Sequence, residues 1–303
     1  MYCIVLSILK VFMKNIWCIL ILLFGEIEGY TQTKLTIVDG ITKDPLPYTN
    51  IQSIIKKEGF ITNENGFILL NLSQTDTIHI SYVGYKSINY VVGKIANDKI
   101  ELFKETGSTL PDVLVKKYKP IEKPFRLGFQ NLKVSYSLKY GVIRNKDKIG
   151  HEITTLVEFP NENEKYKILK VILPTNKIVK NDPLRLHIYS INVNGEPFEE
   201  LLINDVIINK GYNLFGNIEV DISNQNIILN SKGVFVGIQK VSIFDKEQKN
   251  ITYLYFTSEI NKVNTYATNI RFVQKKWVIA GMERWNNKFP SNLKVGLVIQ
   301  KMR

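Results

Sequence analysis

Apolar residues recur at every second position in short runs along this chain, and turn-forming residues separate the runs. Successive side chains of a strand point to opposite faces, so such alternation marks half-buried β-structure. Leu35 and Ile37 share one face, Phe67 and Leu69 another, and Ile78, Ile80 and Tyr82 a third, with Thr77, His79 and Ser81 pointing away. The pattern resumes at Leu184, Leu186 and Ile188, at Val234, Val236 and Ile238, at Val241 and Ile243, at Leu254 and Phe256, and along Leu293, Val295, Leu297 and Ile299. Asp44-Pro45, Asn65-Gly66, Val83-Gly84, Asn194-Gly195, Lys210-Gly211 and Lys232-Gly233 punctuate these runs. Asn-Gly is the strongest hairpin signal among them, because both residues tolerate the positive φ a tight turn demands. Glu199 to Ile208 is the best helix candidate, but it is short and fits a strand equally well.

The expected class is therefore all-β. Residues 33–104 predict an antiparallel sandwich of about seven strands, and residues 125–303 a larger, jelly-roll-like antiparallel sandwich. Between them, residues 105–124 read as a linker ending in Lys116-Lys117-Tyr118-Lys119-Pro120-Ile121-Glu122-Lys123-Pro124, charged and interrupted by two prolines. A length of 303 residues, 45% of them hydrophobic, supports one large core or two modest ones. It is too short for an outer-membrane transporter barrel, which needs roughly twenty strands of about ten residues each.

Residues 1–32 read as a signal peptide. Lys10 and Lys14 precede the apolar run Ile16-Trp17-Cys18-Ile19-Leu20-Ile21-Leu22-Leu23-Phe24, shorter than the ~20 residues a membrane helix needs. Met13 is an alternative start, and cleavage is expected near Tyr30-Thr31-Gln32. Once the leader is removed, no transmembrane span is expected. Both cysteines, Cys3 and Cys18, lie in it, so the mature chain is expected to carry no disulfide, zinc-thiolate site or cysteine nucleophile. The leader's two basic and two acidic residues cancel, leaving the net charge at +12. Export argues against nucleic acid as the partner of that charge, and the lysines form no long cluster. An envelope protein or a polysaccharide is the expected partner.

Three blocks resemble the carboxypeptidase regulatory-like domain, a module common in secreted and outer-membrane Bacteroidetes proteins. They are Asp44-Pro45-Leu46-Pro47-Tyr48-Thr49-Asn50-Ile51, Gly59-Phe60-Ile61-Thr62-Asn63-Glu64-Asn65-Gly66-Phe67, and Ile78-His79-Ile80-Ser81-Tyr82-Val83-Gly84-Tyr85-Lys86. Leu110-Pro111-Asp112-Val113-Leu114-Val115 resembles the segment that follows this module in TonB-dependent receptors. The resemblance covers about a quarter of the chain and implies a transthyretin-like, non-catalytic accessory sandwich. In receptors a plug and barrel follow; too little chain remains here, so receptor function is not carried over. The region from Leu184 to Ile238 resembles, more weakly, uncharacterised Bacteroidetes proteins that carry the same first module.

Familiar catalytic templates are missing from the sequence. His151-Glu152 is followed by Ile-Thr-Thr and so lacks the second histidine of a zinc-peptidase motif. His79 and His187 are expected as exposed residues on the polar faces of strands. There is no nucleophile elbow, phosphate loop or dinucleotide fingerprint. Acid pairs such as Glu199-Glu200 and Glu162 with Glu164 suit a glycosidase only if folding sets two carboxyls across a sugar. Asn63-Glu64-Asn65-Gly66 lacks the ligands of a calcium loop and reads as a turn. No catalytic residue, metal site or cofactor is expected. The candidate ligand surface is Trp285 with Arg284 and Asn286, extended by Tyr253 and Tyr255, since aromatic faces stack on sugars while charged and amide groups bond hydroxyls. Trp277, which alternates with Ile279, is expected in the core. The functional expectation is an exported, non-enzymatic binding, adaptor or structural protein; a glycan-binding module and a hydrolase with a fold-assembled acid cluster are the alternatives.

Overall fold

A computed structural model describes residues 31–105, 118–128, 139–141, 150–175, 183–208, 216–241, 253–257, 265–269, 277–279 and 292–303. The fold is almost entirely β. Among the described residues, no helix is long and apolar enough to cross a membrane.

The N-terminal part forms seven strands: β1 (Thr31–Asp39), β2 (Asn50–Ser53), β3 (Gly59–Ile61), β4 (Phe67–Leu72), β5 (Thr77–Ser81), β6 (Ile88–Val91) and β7 (Lys99–Leu102). They make two sheets, β4-β1-β7 and β3-β2-β5-β6. Leu35, Ile37, Leu70 and Leu72 from the first meet Ile51, Ile78 and Ile80 from the second in one apolar core. Each such side chain gains about 1.5–3 kcal/mol from leaving water. The pairing departs from the expected all-antiparallel pattern at one place, since β1 and β7 run parallel.

Two local expectations need correction. Phe67 and Leu69 share a face, but it is the outer one: Leu69 is 45% exposed while Ile68, Leu70 and Leu72 face the core. Four consecutive apolar residues leave the inward set undetermined, and only exposed Asn71 beside buried Leu72 distinguishes it. Asn65-Gly66 is a turn as expected, with Gly66 at φ +67° and Asn63 Oδ1 accepting from the backbone N–H groups of Asn65 and Phe67. It joins β3 to β4, however, and these lie in opposite sheets, so the turn is a corner of the sandwich and not a hairpin. A Cβ at Gly66 would meet the Ile37 carbonyl oxygen at 2.7 Å, which explains the glycine.

At the end of β1, the Asp39 carboxylate accepts the Tyr85 hydroxyl at 2.6 Å and the backbone N–H groups of Ile41 and Thr42. Chiefly the Tyr85 bond, then the two backbone donors, hold its pKa at about 2. Tyr85 also packs edge-on against Tyr82, across the bend at Gly84.

The larger C-terminal sandwich has two antiparallel sheets. One runs in the order Pro197–Glu200, Leu184–Ile191, Gly233–Lys240, His151–Glu158, Thr265–Asn269, Val278–Ile279, with Val206–Ile208 also on Leu184–Ile191. The other is built around Lys165–Thr175 and Gly296–Met302. Their inner faces share a core that includes Leu184, Leu186, Ile188, Val234, Val236, Leu297 and Ile299, the period-two sets expected there. Lys165–Thr175 escapes that reading because a bulge between Ile168 and Lys170 breaks its period, so Tyr166 and Ile168 face inward before it and Val171 and Leu173 after it. The helix candidate Glu199 to Ile208 is two short strands instead.

Residues 118–124 of the expected linker are tied down. Lys119 and Arg303 exchange two backbone hydrogen bonds of 2.9 Å, and Ile121 N–H donates to the Lys301 carbonyl at 3.1 Å. The ladder that Phe125–Gly128 forms with Gly296–Met302 thus continues back through Pro120.

Candidate functional site

The Leu184–Ile191 strand shows its character on both faces. Leu184, Leu186 and Ile188 enter the core, while Arg185, His187 and Tyr189 point the other way. That second face is buried too: the three residues are 0%, 3% and 1% exposed. The expectation of an exposed His187 is therefore corrected; alternation identifies the polar face but not whether something covers it.

Pairing lines up neighbours from three strands on this face. Glu152, Gln239 and Arg185 form one row, Thr154, Gly237 and His187 the next, and Leu156, Phe235 and Tyr189 the third. Arg185 forks onto Asp205, with Nε to Oδ1 at 2.7 Å and Nη2 to Oδ2 at 3.1 Å, and its Nη1 donates to Gln239 Oε1 at 3.0 Å. His187 stands between acceptors: Nδ1 is 2.5 Å from Glu200 Oε2, and Nε2 is 3.3 Å from Gln239 Oε1 and 3.9 Å from Glu152 Oε2. Its ring stacks on Tyr189 with 5.5 Å between centroids. The other Glu200 oxygen accepts from the backbone N–H groups of Ile188 and Leu202.

The Tyr189 hydroxyl donates to Glu152 Oε1 at 2.6 Å. Burial first, and then the negative charges of Glu152 and Glu200, push this phenol well above its ordinary value, so it stays protonated and keeps donating. Gly237 makes room for the arrangement: a Cβ there would sit 2.8 Å from Glu152 Oε1 and 3.1 Å from His187 Cβ. Buried Thr154, in the row beside it, has a hydroxyl with no hydrogen-bond partner among the described residues. Chemically, the described residues of this face bring together the carboxylates of Glu152, Glu200 and Asp205, the His187 imidazole and the Arg185 guanidinium, all engaged with neighbours. The described residues contain no group of three or more His, Cys, Asp or Glu arranged to hold a metal ion.

The ligand surface expected from the sequence is not part of this cluster. Trp285, Arg284 and Asn286 lie outside the described residues, and of Tyr253 and Tyr255 only the backbone course is described, in the strand Tyr253–Thr257 that pairs with Lys139–Gly141. Trp277, expected in the core, is half-buried and meets the Tyr189 ring edge-on at 5.4 Å. Of the candidate acids, Glu162 and Glu199 are exposed, and Glu164 pairs with Lys301 at 2.7 Å. His79 bonds Asn89 at 2.7 Å. Folding brings Glu200 together with Glu152 and His187, a grouping with one sequence signal: Arg185, His187 and Tyr189 alternate with aliphatics in the middle of a strand.

No family model matches this chain, and no curated protein matches it. Among solved structures it is similar to the cysteine protease and lectin-like domains of Cwp84, a surface layer associated protein of Clostridium difficile. The TM-score is 0.33 and the identity 13%, over 55% of this chain and 36% of that one. It is also similar to the infectious bursal disease virus VP2 subviral particle, with a TM-score of 0.26 and 10% identity over 90% of this chain and 64% of that one. Superpositions this loose support no statement about activity. The chain spans between 36% and 64% of the length of those two structures.

Proposed function

We propose that this chain is an exported, non-enzymatic binding, adaptor or structural protein of the bacterial cell envelope, presenting the loops and edges of its β-sandwiches to a polymer or another envelope protein. One observation carries the non-enzymatic part: the ionisable groups gathered on the larger sheet are closed off from solvent, Glu152, Arg185 and His187 being at most 3% exposed, and bond to one another. Glu200 holds His187 and two backbone N–H groups, Glu152 holds Tyr189, and Asp205 holds Arg185. A general acid or base must instead reach the proton of a substrate. The short apolar leader and the resemblance of residues 44–86 to the carboxypeptidase regulatory-like domain support export and an accessory role.

Two measurements test this reading. Fractionation of producing cells is expected to place a chain shortened near Tyr30 in the envelope or the medium; retention of the full-length chain in the cytoplasm defeats the export part. Purified protein is expected to turn over no glycoside, ester or peptide substrate. Turnover that Glu152→Gln and Glu200→Gln both abolish would establish the hydrolase instead. Retention on a polysaccharide that is lost in Trp285→Ala would assign the glycan-binding role to the Trp285 segment.

A further inference from the structure

The guanidinium of Arg185 has five N–H donors in a fixed fork. Three of them stay within the larger sandwich, two on Asp205 and one on Gln239. The other two cross to the N-terminal sandwich: Nη2 donates to the Tyr48 carbonyl at 2.7 Å, and Nη1 to Asn50 Oδ1 at 3.4 Å. All five donors are therefore satisfied only when both sandwiches are in place. Gln239 adds a bond of its own from Nε2 to Asn50 Oδ1 at 3.4 Å.

A second segment of the N-terminal sandwich meets the same spot. The Tyr82 ring lies 5.6 Å from the Arg185 guanidinium carbon. Val83 packs against the larger core. Gly84 sits at φ +79°, and a Cβ there would run into the Ile203 carbonyl. Tyr48 itself adopts φ 55°, a conformation costly for a bulky residue, at the point where its carbonyl turns to Arg185.

We propose that the edge made by Tyr48–Asn50 and Tyr82–Gly84 is an intramolecular docking face whose partner is the chain's own larger sandwich, with Arg185 as the key it receives. Asp205 and Gln239 set the guanidinium within the larger sheet, so the key is held in orientation by the larger sandwich itself. The two sandwiches then act as one unit, and their mutual orientation depends on the contacts gathered around Arg185. Both contributing segments fall within the blocks Asp44–Ile51 and Ile78–Lys86, so the residues that give the N-terminal part its family likeness also form this face.

The test uses the full-length chain. The unaltered protein is expected to show a single unfolding transition in calorimetry and a compact small-angle scattering profile. Arg185→Lys, which keeps the charge and loses the fork, is expected to raise the radius of gyration and split unfolding into two transitions. Should that variant fail to fold, Asn50→Ala with Gly84→Ala, which removes one acceptor of Arg185 and drives a methyl into the Ile203 carbonyl, leaves the residues of the larger sandwich unaltered and is expected to give the same split. An unchanged scattering profile and one transition in the double variant overturn the proposal, as do two independent transitions in the unaltered protein.

Discussion

Leu184, Leu186 and Ile188 on one side of a strand and Arg185, His187 and Tyr189 on the other are all buried, yet different forces hold them. The aliphatic side is held by burial of apolar area and close packing, which have no direction. The polar side is held by directed bonds, and each member left without its partner bears the desolvation cost of burial. The same strand therefore tolerates change in two ways: gradually with volume on one face, and abruptly with partner loss on the other.

Four changes probe this contrast, from the largest effect to the smallest. Asp205→Ala strands the Arg185 cation and is expected to cost about 3–5 kcal/mol in denaturant unfolding. Leu186→Ala, on the opposite face of the same strand, leaves a cavity and is expected to cost about 2–5 kcal/mol, the spread depending on how far the core collapses. A polar-face loss well below the aliphatic one would break the comparison. Gly237→Ala drives a methyl toward Glu152 and His187 and is expected to cost about 1–3 kcal/mol; no loss would mean that the polar cluster yields as readily as a loose core.

The smallest effect lies in the N-terminal sandwich, at Asp39. Its folded pKa of about 2 is below the ordinary value of 3.8, so its contribution is complete above pH ~4 and disappears as the pH falls toward 2. Tyr85→Phe removes the largest cause of that depression. The variant is expected to lose stability at neutral pH and to show a flatter fall between pH 4 and 2, read by unfolding at a series of pH values. An unchanged acid limb would show that the Ile41 and Thr42 backbone donors suffice.

Much of the fold was legible because period-two alternation is a direct consequence of strand geometry. The inward sets at Leu35 and Ile37, at Ile78 and Ile80, and at Leu184, Leu186 and Ile188 all follow from it. It failed where the period itself is interrupted, at the Ile168–Lys170 bulge, and where apolar residues fill both faces, at Phe67–Leu70. The candidate site was less legible. Glu152, His187, Glu200 and Gln239 come from four separate strands, and only pairing register makes them neighbours.

The sequence alone determined that the chain would fold into sheets and which side of each long strand is polar, since both are properties of adjacent residues. Only the tertiary structure decided that the polar side of the larger sheet is covered, that Asn65-Gly66 turns a corner between sheets, and that Arg185 reaches Tyr48 across more than a hundred residues of chain. Burial and contact between distant segments depend on how whole sheets stack, and local alternation carries no information about what lies above a sheet.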